Sequence, residues 1–195
     1  MCSRCPCRTN KASEIPFVNV TNGREAHPKY WVAVLVQMNT EHKSSQKLSK
    51  LGIENFVPSQ TEIHQWSDRK KKIERIVIPM VVFVKVDSDE EKKLRTYSFI
   101  YKILTYPGHK ETARIPEDQI LKLKFMLDKA DTEVCVANSI LEVGETVEVI
   151  RGPLKGFSGE VFQFEEGRPM VGIYLEVLGY VCVSLNKNDI KKLNK

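Results

Sequence analysis

The sequence predicts an α+β domain with a mainly antiparallel sheet, followed by a small all-β barrel. Two observations support this fold class. Between residues 30 and 130, apolar strand-like runs alternate with segments that have helical periodicity. From Val143 onward the helical period is absent, and short apolar runs are separated by glycine and proline. We expect a flexible tail over residues 1–28, the α+β domain over 29–130, a linker over 131–141 and the β domain over 142–195.

The composition is that of an ordinary globular protein. The 195 residues are 42% hydrophobic and 28% charged, with a formal net charge of +5. This balance allows one larger domain or two small ones, and it suits an anionic partner without requiring one. No run approaches the roughly 18 to 20 apolar residues of a membrane span, and no secretory signal is recognisable. A cytoplasmic location and no membrane contact are therefore expected.

The cysteines do not form a recognisable disulfide or metal framework. Cys2, Cys5 and Cys7 crowd the start of the chain, whereas Cys135 and Cys182 stand alone in apolar surroundings. No second Cys or His pair follows the first cluster at the spacing of a zinc finger. We therefore predict no metal site and no cofactor.

The first predicted elements form the centre of the α+β domain. Tyr30 to Met38 is a nearly continuous apolar run, as expected for a central strand. A helix should start after Asn39 or Thr40, run to about Leu51 and end at Gly52. Its predicted inner face consists of Ser44, Ser45, Leu48 and Leu51.

The following segments predict further strands and helices. Ile53 to Pro58 reads as a short strand, Ser59 to Glu74 as a loop or extended hairpin, and Arg75 to Val86 as a second continuous strand. Ser88 and Glu91 match a capping box at a helix start. A strand should end at Tyr106, and a helix should begin at Pro116, with Ile120, Leu123 and Leu127 on one face.

The carboxy-terminal part predicts short strands joined by tight turns. The strands are Thr146–Ile150, Gly159–Phe164, Met170–Glu176 and Gly179–Ser184. Within this part, Gly144 to Val161 closely resembles a KOW motif. The residues that carry the motif are Gly144, Val147, Val149, Gly152, Lys155, Gly156 and Gly159. Gly152 and Gly156 permit a tight loop, and Gly159 permits a bend or a close approach of two backbones.

The amino-terminal part resembles an NGN domain. The resemblance is carried by Trp31 in the first strand, by Val57-Pro58, by the polar segment 66–72 and by the run from Ile78 to Val84. An NGN domain followed by a KOW domain is the architecture of the NusG family of transcription elongation factors. The resemblance extends from Tyr30 almost to the end of the chain.

Within that family the sequence looks nearest to the UpxY-like antiterminators of capsule polysaccharide operons. The segment Trp66-Ser67-Asp68-Arg69-Lys70-Lys71 and the tail before the first strand support this. The general factors have a Phe-Pro-Gly-Tyr-like sequence where this chain has Ile78-Pro79-Met80-Val81. This departure suggests a specialised paralogue and speaks against the general NusG factor, which acts on most genes.

The resemblance implies binding rather than catalysis. In the family, an apolar patch of the NGN domain docks on the clamp helices of RNA polymerase. By position, the candidates here are Trp31, Ile78, Pro79, Val81 and Phe83. The alternative is structural, because alternate residues of such a strand face the core in any fold.

Basic residues near an aromatic side chain predict contact with nucleic acid, either the non-template DNA strand or nascent RNA. The cluster comprises His64, Trp66, Arg69, Lys70, Lys71, Lys72 and Arg75, with Lys43 and Lys47 on the first helix as weaker candidates. The alternative is that these charges are only solvated.

The barrel is predicted to recruit a protein. Family members use this module to bind the termination factor Rho or a ribosomal protein, and the acidic surplus between Thr146 and Glu176 suits such a partner. The rival function is that of a ribosome-associated, RNA-binding KOW protein. The four histidines are scattered and no catalytic motif is recognisable, so we predict no enzymatic activity and no catalytic residues. Nothing in the sequence suggests an obligate oligomer, so a monomer is expected.

Overall fold

The computed structural model describes residues 28–65, 70–137, 143–163, 169–175 and 177–193. The first part contains β1 (Tyr30–Val36), α1 (Glu41–Lys50), β2 (Glu54–Phe56), β3 (Ser59–Gln65), β4 (Lys70–Ile76), β5 (Val81–Val86), α2 (Ser88–Leu94), β6 (Ile100–Ile103), β7 (Arg114–Ile115) and α3 (Glu117–Lys129). The second part contains β8 (Val134–Ala137), β9 (Val143–Val149), β10 (Ser158–Gln163), β11 (Pro169–Leu175), β12 (Gly179–Ser184), a 3-10 helix (Lys187–Asp189) and β13 (Ile190–Lys192).

The sheet of the first part has helices on both faces. Its strand order is β2-β5-β1-β6, β7 also pairs with β1, and these pairings are antiparallel. Side chains of β1 and β5 alternate between two faces. One face carries Trp31, Ala33 and Phe83 and packs against α3. The opposite face packs against Leu48 of α1 and Leu94 of α2.

The helices confirm part of the sequence prediction and correct part of it. α1 ends before Gly52, which has a φ of 75° as a left-handed terminal glycine should. Leu51 was predicted to face inward but is 51% exposed, because the helix turns Glu41, Ser44 and Leu48 toward the sheet instead.

The predicted start of α2 is wrong by one residue, and the predicted start of α3 is confirmed. The capping box of α2 lies one residue earlier than predicted, with Asp87 and Glu90 as its partners. α3 follows Pro116 and buries Ile120, Leu123 and Leu127 as expected.

The predicted continuous strand from Arg75 to Val86 is wrong. β4 ends at Ile76, the chain turns over residues 77–80, and β5 begins at Val81. Pro79 lacks a backbone N–H for a strand ladder, and Met80 has a φ of 65°, which no strand accommodates. β4 instead pairs with β3, so the polar stretch after Pro58 forms a hairpin.

The second part is a six-stranded antiparallel sheet in the order β13-β9-β10-β11-β12-β8. β8 lies inside the segment 131–141, which was predicted as a linker, and forms one end of the sheet by pairing with β12. Val134, Cys135 and Val136 favour a strand because they are apolar and largely β-branched.

The two parts share a continuous apolar core. Residues of α3 and of the second sheet belong to one buried cluster, which includes Met126, Phe157 and Val171. The rings of Phe125 and Phe157 stack with centroids 6.4 Å apart and planes at 4°. None of the helices in the described ranges is long and apolar enough to span a bilayer.

Candidate functional site

The five apolar residues predicted to contact polymerase do not form an exposed patch. Trp31, Ile78, Val81 and Phe83 are buried, with at most 5% of each exposed, and only Pro79 lies at the surface. α3 packs on this face of the sheet, and the Lys124 Nζ lies 4.8 Å from the centroid of the Trp31 ring. In this arrangement the four buried residues have a structural role in the core, and their contact with polymerase stays a prediction.

An accessible apolar surface lies beside these core residues, where β1 ends and β5 begins. It consists of Leu35, Pro79, Met80 and Leu104, which we call the strand-end rim. The Val36 N–H donates to the Met80 carbonyl at 2.8 Å, and the Leu104 N–H donates to the Ala33 carbonyl at 2.8 Å. Leu35, Met80 and Leu104 are half-buried, and Pro79 is exposed.

Sequence reasoning missed two members of this rim. Leu35 follows Trp31 and Ala33 in the same alternation, which is the signal that would have identified it. Leu104 lies beyond the end of β6 and carried no comparable signal.

Met80 holds a backbone conformation that glycine usually takes. Its φ is 65°, and its N–H donates to Oε1 of Glu41 at 2.8 Å. Glu41 is 1% exposed, and its Oε2 has no hydrogen-bond partner among the described residues. This chain therefore holds a left-handed conformation, which glycine usually adopts, with a bulky residue. The buried Glu41 carboxylate stabilises the turn.

Replacing Met80 with glycine should raise the free energy of unfolding by about 0.5 to 1 kcal/mol. The left-handed conformation costs a residue with a Cβ about 1 to 2 kcal/mol, and the greater freedom of glycine in the unfolded chain offsets part of this gain. Urea denaturation measures the change. Met38→Gly at an exposed turn is the matched control and should lower stability. A loss of stability in Met80→Gly would contradict the strain argument.

The basic cluster is concentrated at the far end of the β3–β4 hairpin. His64 pairs with Lys71 in the strand register, Gln65 pairs with Lys70, and Lys72 is exposed opposite Ile63. Trp66 and Arg69 lie outside the described residues. The register brings His64, Lys70, Lys71 and Lys72 together along the end of the hairpin.

The weaker candidates Lys43 and Lys47 belong to α1, whose first turn lies close to β4 of this hairpin. Lys43 and Lys47 are exposed, and Lys47 Nζ lies 5.0 Å from the centroid of the Phe99 ring. Next to Lys43, His42 Nε2 lies 3.8 Å from Glu74 Oε2 of β4. This contact places the first turn of α1 beside the hairpin.

Arg75 has a structural role in the described structure, and its contact with nucleic acid stays a prediction. Its Nε lies 3.0 Å from Glu62 Oε1 without the alignment of a hydrogen bond. Its other guanidinium nitrogens form an ion pair with Glu133 and donate to the Val134 carbonyl at 2.9 Å. With its charge paired to two carboxylates, Arg75 attaches the hairpin to the segment before β8.

Gln60 makes a second attachment at the same place. Its side chain is 3% exposed, and its Nε2 donates to the carbonyls of Ala130 and Thr132 at 3.1 and 2.8 Å. Its Oε1 accepts from the Val134 N–H at 3.0 Å. Gln60 and Arg75 together form what we call the hairpin clasp. Sequence reasoning missed Gln60, since a glutamine in a polar stretch gives no signal of burial.

A half-buried carboxylate joins elements at the opposite end of the first sheet. Glu91 accepts hydrogen bonds from Tyr30, Arg95 and Thr112. Burial alone would raise the pKa of Glu91, but the hydrogen bonds from Thr112, Arg95 and Tyr30 outweigh it and hold this pKa below its usual range. Burial, together with the bond to Glu91, raises the pKa of Tyr30. Glu91 thus remains ionised and joins α2 to β1.

The residues of the KOW-like motif have mainly structural roles. Val147 and Val149 of β9 are buried, and Gly152 and Gly156 have φ values of 83° and 87° in the turn before β10. Gly144 lies in β9, and Lys155 is exposed between the two turn glycines. At Gly159 a Cβ would lie 2.6 Å from the Gly172 carbonyl oxygen, so this glycine permits a close approach of β10 and β11.

Comparison with known proteins identifies the first part. Residues 29–124 match the family model described as "Transcription termination factor nusG". The chain is 21% identical to the transcription termination/antitermination protein NusG of Rickettsia conorii, over 89% of this chain and 95% of that protein. It is 28% identical to the NusG protein of Buchnera aphidicola, over 81% of this chain and 88% of that protein.

A solved structure described as "Domain interaction in Thermotoga maritima NusG" is 17% identical, covers 85% of this chain and 98% of that chain, and has a TM-score of 0.47. The family match and the relatives define a NusG-type domain in the first part. Residues 29–124 are a NusG-family NGN domain, and the chain is a distant homologue of NusG proteins.

Proposed function

We propose that this protein is a transcription elongation and antitermination factor that binds RNA polymerase through its NGN domain. The observation that carries the proposal is the family match over residues 29–124, since that part contains the strand-end rim and the basic hairpin. The named relatives, which align over 81 to 89% of this chain, are termination/antitermination proteins. In this proposal the protein acts in the cytoplasm, as a monomer and without a cofactor.

The finer proposal is a specialised paralogue that serves polysaccharide biosynthesis operons. The segment from Trp66 to Lys71 supports it, as does the aliphatic sequence from Ile78 to Val81. Met80 has a glycine-like φ of 65° and its N–H is held by the buried Glu41, which supports the proposal that this turn differs in sequence from that of a general factor. A diverged rim suits a factor that competes with a general NusG protein for the same polymerase surface.

The polymerase contact is proposed at the strand-end rim. Pro79 is exposed, and the other rim residues, Leu35, Met80 and Leu104, are half-buried and apolar. An exposed apolar side chain within such a setting is a suitable anchor for a helix of the clamp.

The second part is proposed to be a KOW-type module that recruits a protein such as Rho or a ribosomal protein. Its exposed or half-exposed acids include Glu145, Glu148 and Glu160, and its exposed bases include Arg151 and Lys155. This mixed surface suits a protein better than a phosphate backbone, which needs clustered positive charge.

Nucleic acid is proposed to bind along the end of the hairpin and the exposed side of α1. Lys43, Lys47 and Lys72 are exposed, and the register places Lys70 and Lys71 beside His64. Non-template DNA in the transcription bubble is unpaired, and it offers both phosphates and bases to such a surface.

Pro79→Arg should weaken binding to core RNA polymerase by at least about tenfold, because it places a charge in the centre of the apolar contact. Co-purification and equilibrium titration with core polymerase measure this. Pro107→Arg, at an exposed proline outside the rim, is the matched control and should bind normally. Phe83 is unsuitable for this test because it is fully buried, so a charge there would unfold the domain.

A second variant separates nucleic acid from polymerase. Substitution of Lys43, Lys47 and Lys72 with glutamine should leave binding to free polymerase unchanged and should weaken binding to a transcription complex with an open bubble. If the unsubstituted protein fails to bind polymerase at all, the elongation-factor proposal fails and the ribosome-associated alternative takes its place.

A further inference from the structure

Two cysteines of the second sheet lie directly opposite each other. Cys135 of β8 pairs with Cys182 of β12 in the antiparallel register, and both are free thiols. Directly opposed residues of antiparallel strands have their side chains on the same face and Cα atoms about 4.5 or 5.5 Å apart. Both separations lie within the range of about 4.4 to 6.8 Å that disulfide bonds require.

The surroundings of the two thiols differ. Cys182 is fully buried and packs with Phe162, whereas Cys135 is half-buried at the margin of the same apolar cluster. The Cys182 Sγ lies against Gly172 of β11, only 2.9 Å from the position that a Cβ on that glycine would occupy. A bond to Cys135 therefore requires Cys182 to rotate about its Cα–Cβ bond, so that the sulfur turns from β11 toward β8.

We infer that Cys135 and Cys182 are a site of oxidative modification at which a disulfide bond links β8 to β12. The oxidant is a low-molecular-weight disulfide such as glutathione disulfide. The Cys135 thiolate attacks one sulfur of the oxidant, the S–S bond of the oxidant breaks, and one glutathione thiolate leaves. The Cys182 thiolate then attacks the Cys135 sulfur and displaces the second glutathione. Two protein thiols are oxidised, and one small disulfide is reduced to two thiols.

The electrostatics indicate a slow but lasting modification. Burial, with the charge of Glu133 nearby, raises the pKa of Cys135, and burial raises the pKa of Cys182 to about 12. The thiolate is the attacking species, so both steps are slow at neutral pH. The same effect disfavours reduction, because the released thiolates gain no stabilisation from their surroundings.

The bond would fix the connection between the two parts of the protein. β8 follows the segment that the hairpin clasp holds, since Gln60 and Arg75 contact Val134 immediately before Cys135. A link from Cys135 to Cys182 would attach this connection covalently to the second sheet. The inference does not depend on the proposed function.

The test uses the full chain with Cys2, Cys5 and Cys7 replaced by serine, so that of the five cysteines only this pair remains. The protein is incubated with glutathione disulfide, denatured and analysed by thiol titration and intact mass. The expected product is a monomer that has lost both thiols and two hydrogens and carries no glutathione. Its Tm should exceed that of the reduced protein by roughly 5 to 10 °C, since the bond closes a long loop.

Two single variants serve as controls. In Cys182→Ser the thiol that attacks the Cys135–glutathione disulfide is missing, so a glutathione adduct should accumulate on Cys135. In Cys135→Ser the buried Cys182 should stay unmodified. Two unreacted thiols, a persistent glutathione adduct or a disulfide-linked dimer in the two-cysteine protein would each overturn the inference.

Discussion

Replacing Gln60 with methionine is expected to lower the free energy of unfolding by about 3 kcal/mol. The methionine side chain has a similar length and no branch, so it fills the space without overpacking. It cannot replace the hydrogen bonds to the Ala130 and Thr132 carbonyls or the one from the Val134 N–H. Each unsatisfied buried group costs about 1 to 3 kcal/mol, and partial access of water to the two carbonyls reduces the sum.

Urea denaturation at constant pH measures the Gln60 effect. Gln46→Met on the exposed side of α1 is the matched control, and its free energy of unfolding should change by less than about 0.5 kcal/mol. Equal stability of the two variants would show that the three backbone groups find other partners, and that Gln60 does not hold the segment before β8.

The hairpin clasp connects the proposed nucleic-acid surface with the second sheet. The base of the hairpin carries Gln60 and Arg75, its far end carries Lys70 and Lys71, and the segment it holds leads directly into β8. A displacement of the hairpin would therefore be transmitted to the connection between the two parts through the hydrogen bonds of Gln60 and Arg75. A loss of the clasp should affect this connection more than it affects the first sheet, whose core lies on β1 and β5.

The local sequence determined the parts of the fold whose signals are strong and continuous. β1 is a nearly unbroken apolar run, and α3 has Pro116 at its start and a regular apolar face. The run from Arg75 to Val86 looked equally continuous, yet it divides between two sheets. Its division depends on the positive φ of Met80, which a buried contact with Glu41 supports. Glu41 and Met80 are far apart in the sequence, so the contact between them leaves no periodic pattern in the sequence.

The sequence indicates which residue types could form a binding surface, but not which of their side chains the fold leaves accessible. The strand that contains Val81 and Phe83 was identified, but alternation alone does not say whether α3 or a partner covers a given face. Arg75 illustrates the same limit for charge, since it lies in a basic run and yet pairs with Glu62 and Glu133. The sequence shows which charged residues lie near each other along the chain. Only the folded structure shows which of them form ion pairs within the protein.

Gly159→Ala is expected to lower the free energy of unfolding by about 2 to 3 kcal/mol. The added Cβ would lie 2.6 Å from the Gly172 carbonyl oxygen and 3.0 Å from the nearest atom of the Phe157 ring. Because the first distance is too short for a carbon–oxygen contact, β10 and β11 must separate. Phe157 also stacks on Phe125 of α3, so the shift should extend to the contact between the two parts. Thermal or urea unfolding measures the effect.

Gly156→Ala is the matched control for Gly159→Ala, because both glycines belong to the same motif. Its φ of 87° strains any residue with a Cβ, but the space around it is open, so the loss should be about 1 kcal/mol. A larger loss at Gly156 than at Gly159 would mean that the turn, rather than the close approach of β10 to β11, is the reason for the glycine spacing. The expected order instead assigns two physical functions to the motif: freedom of the backbone at Gly152 and Gly156, and absence of a side chain at Gly159.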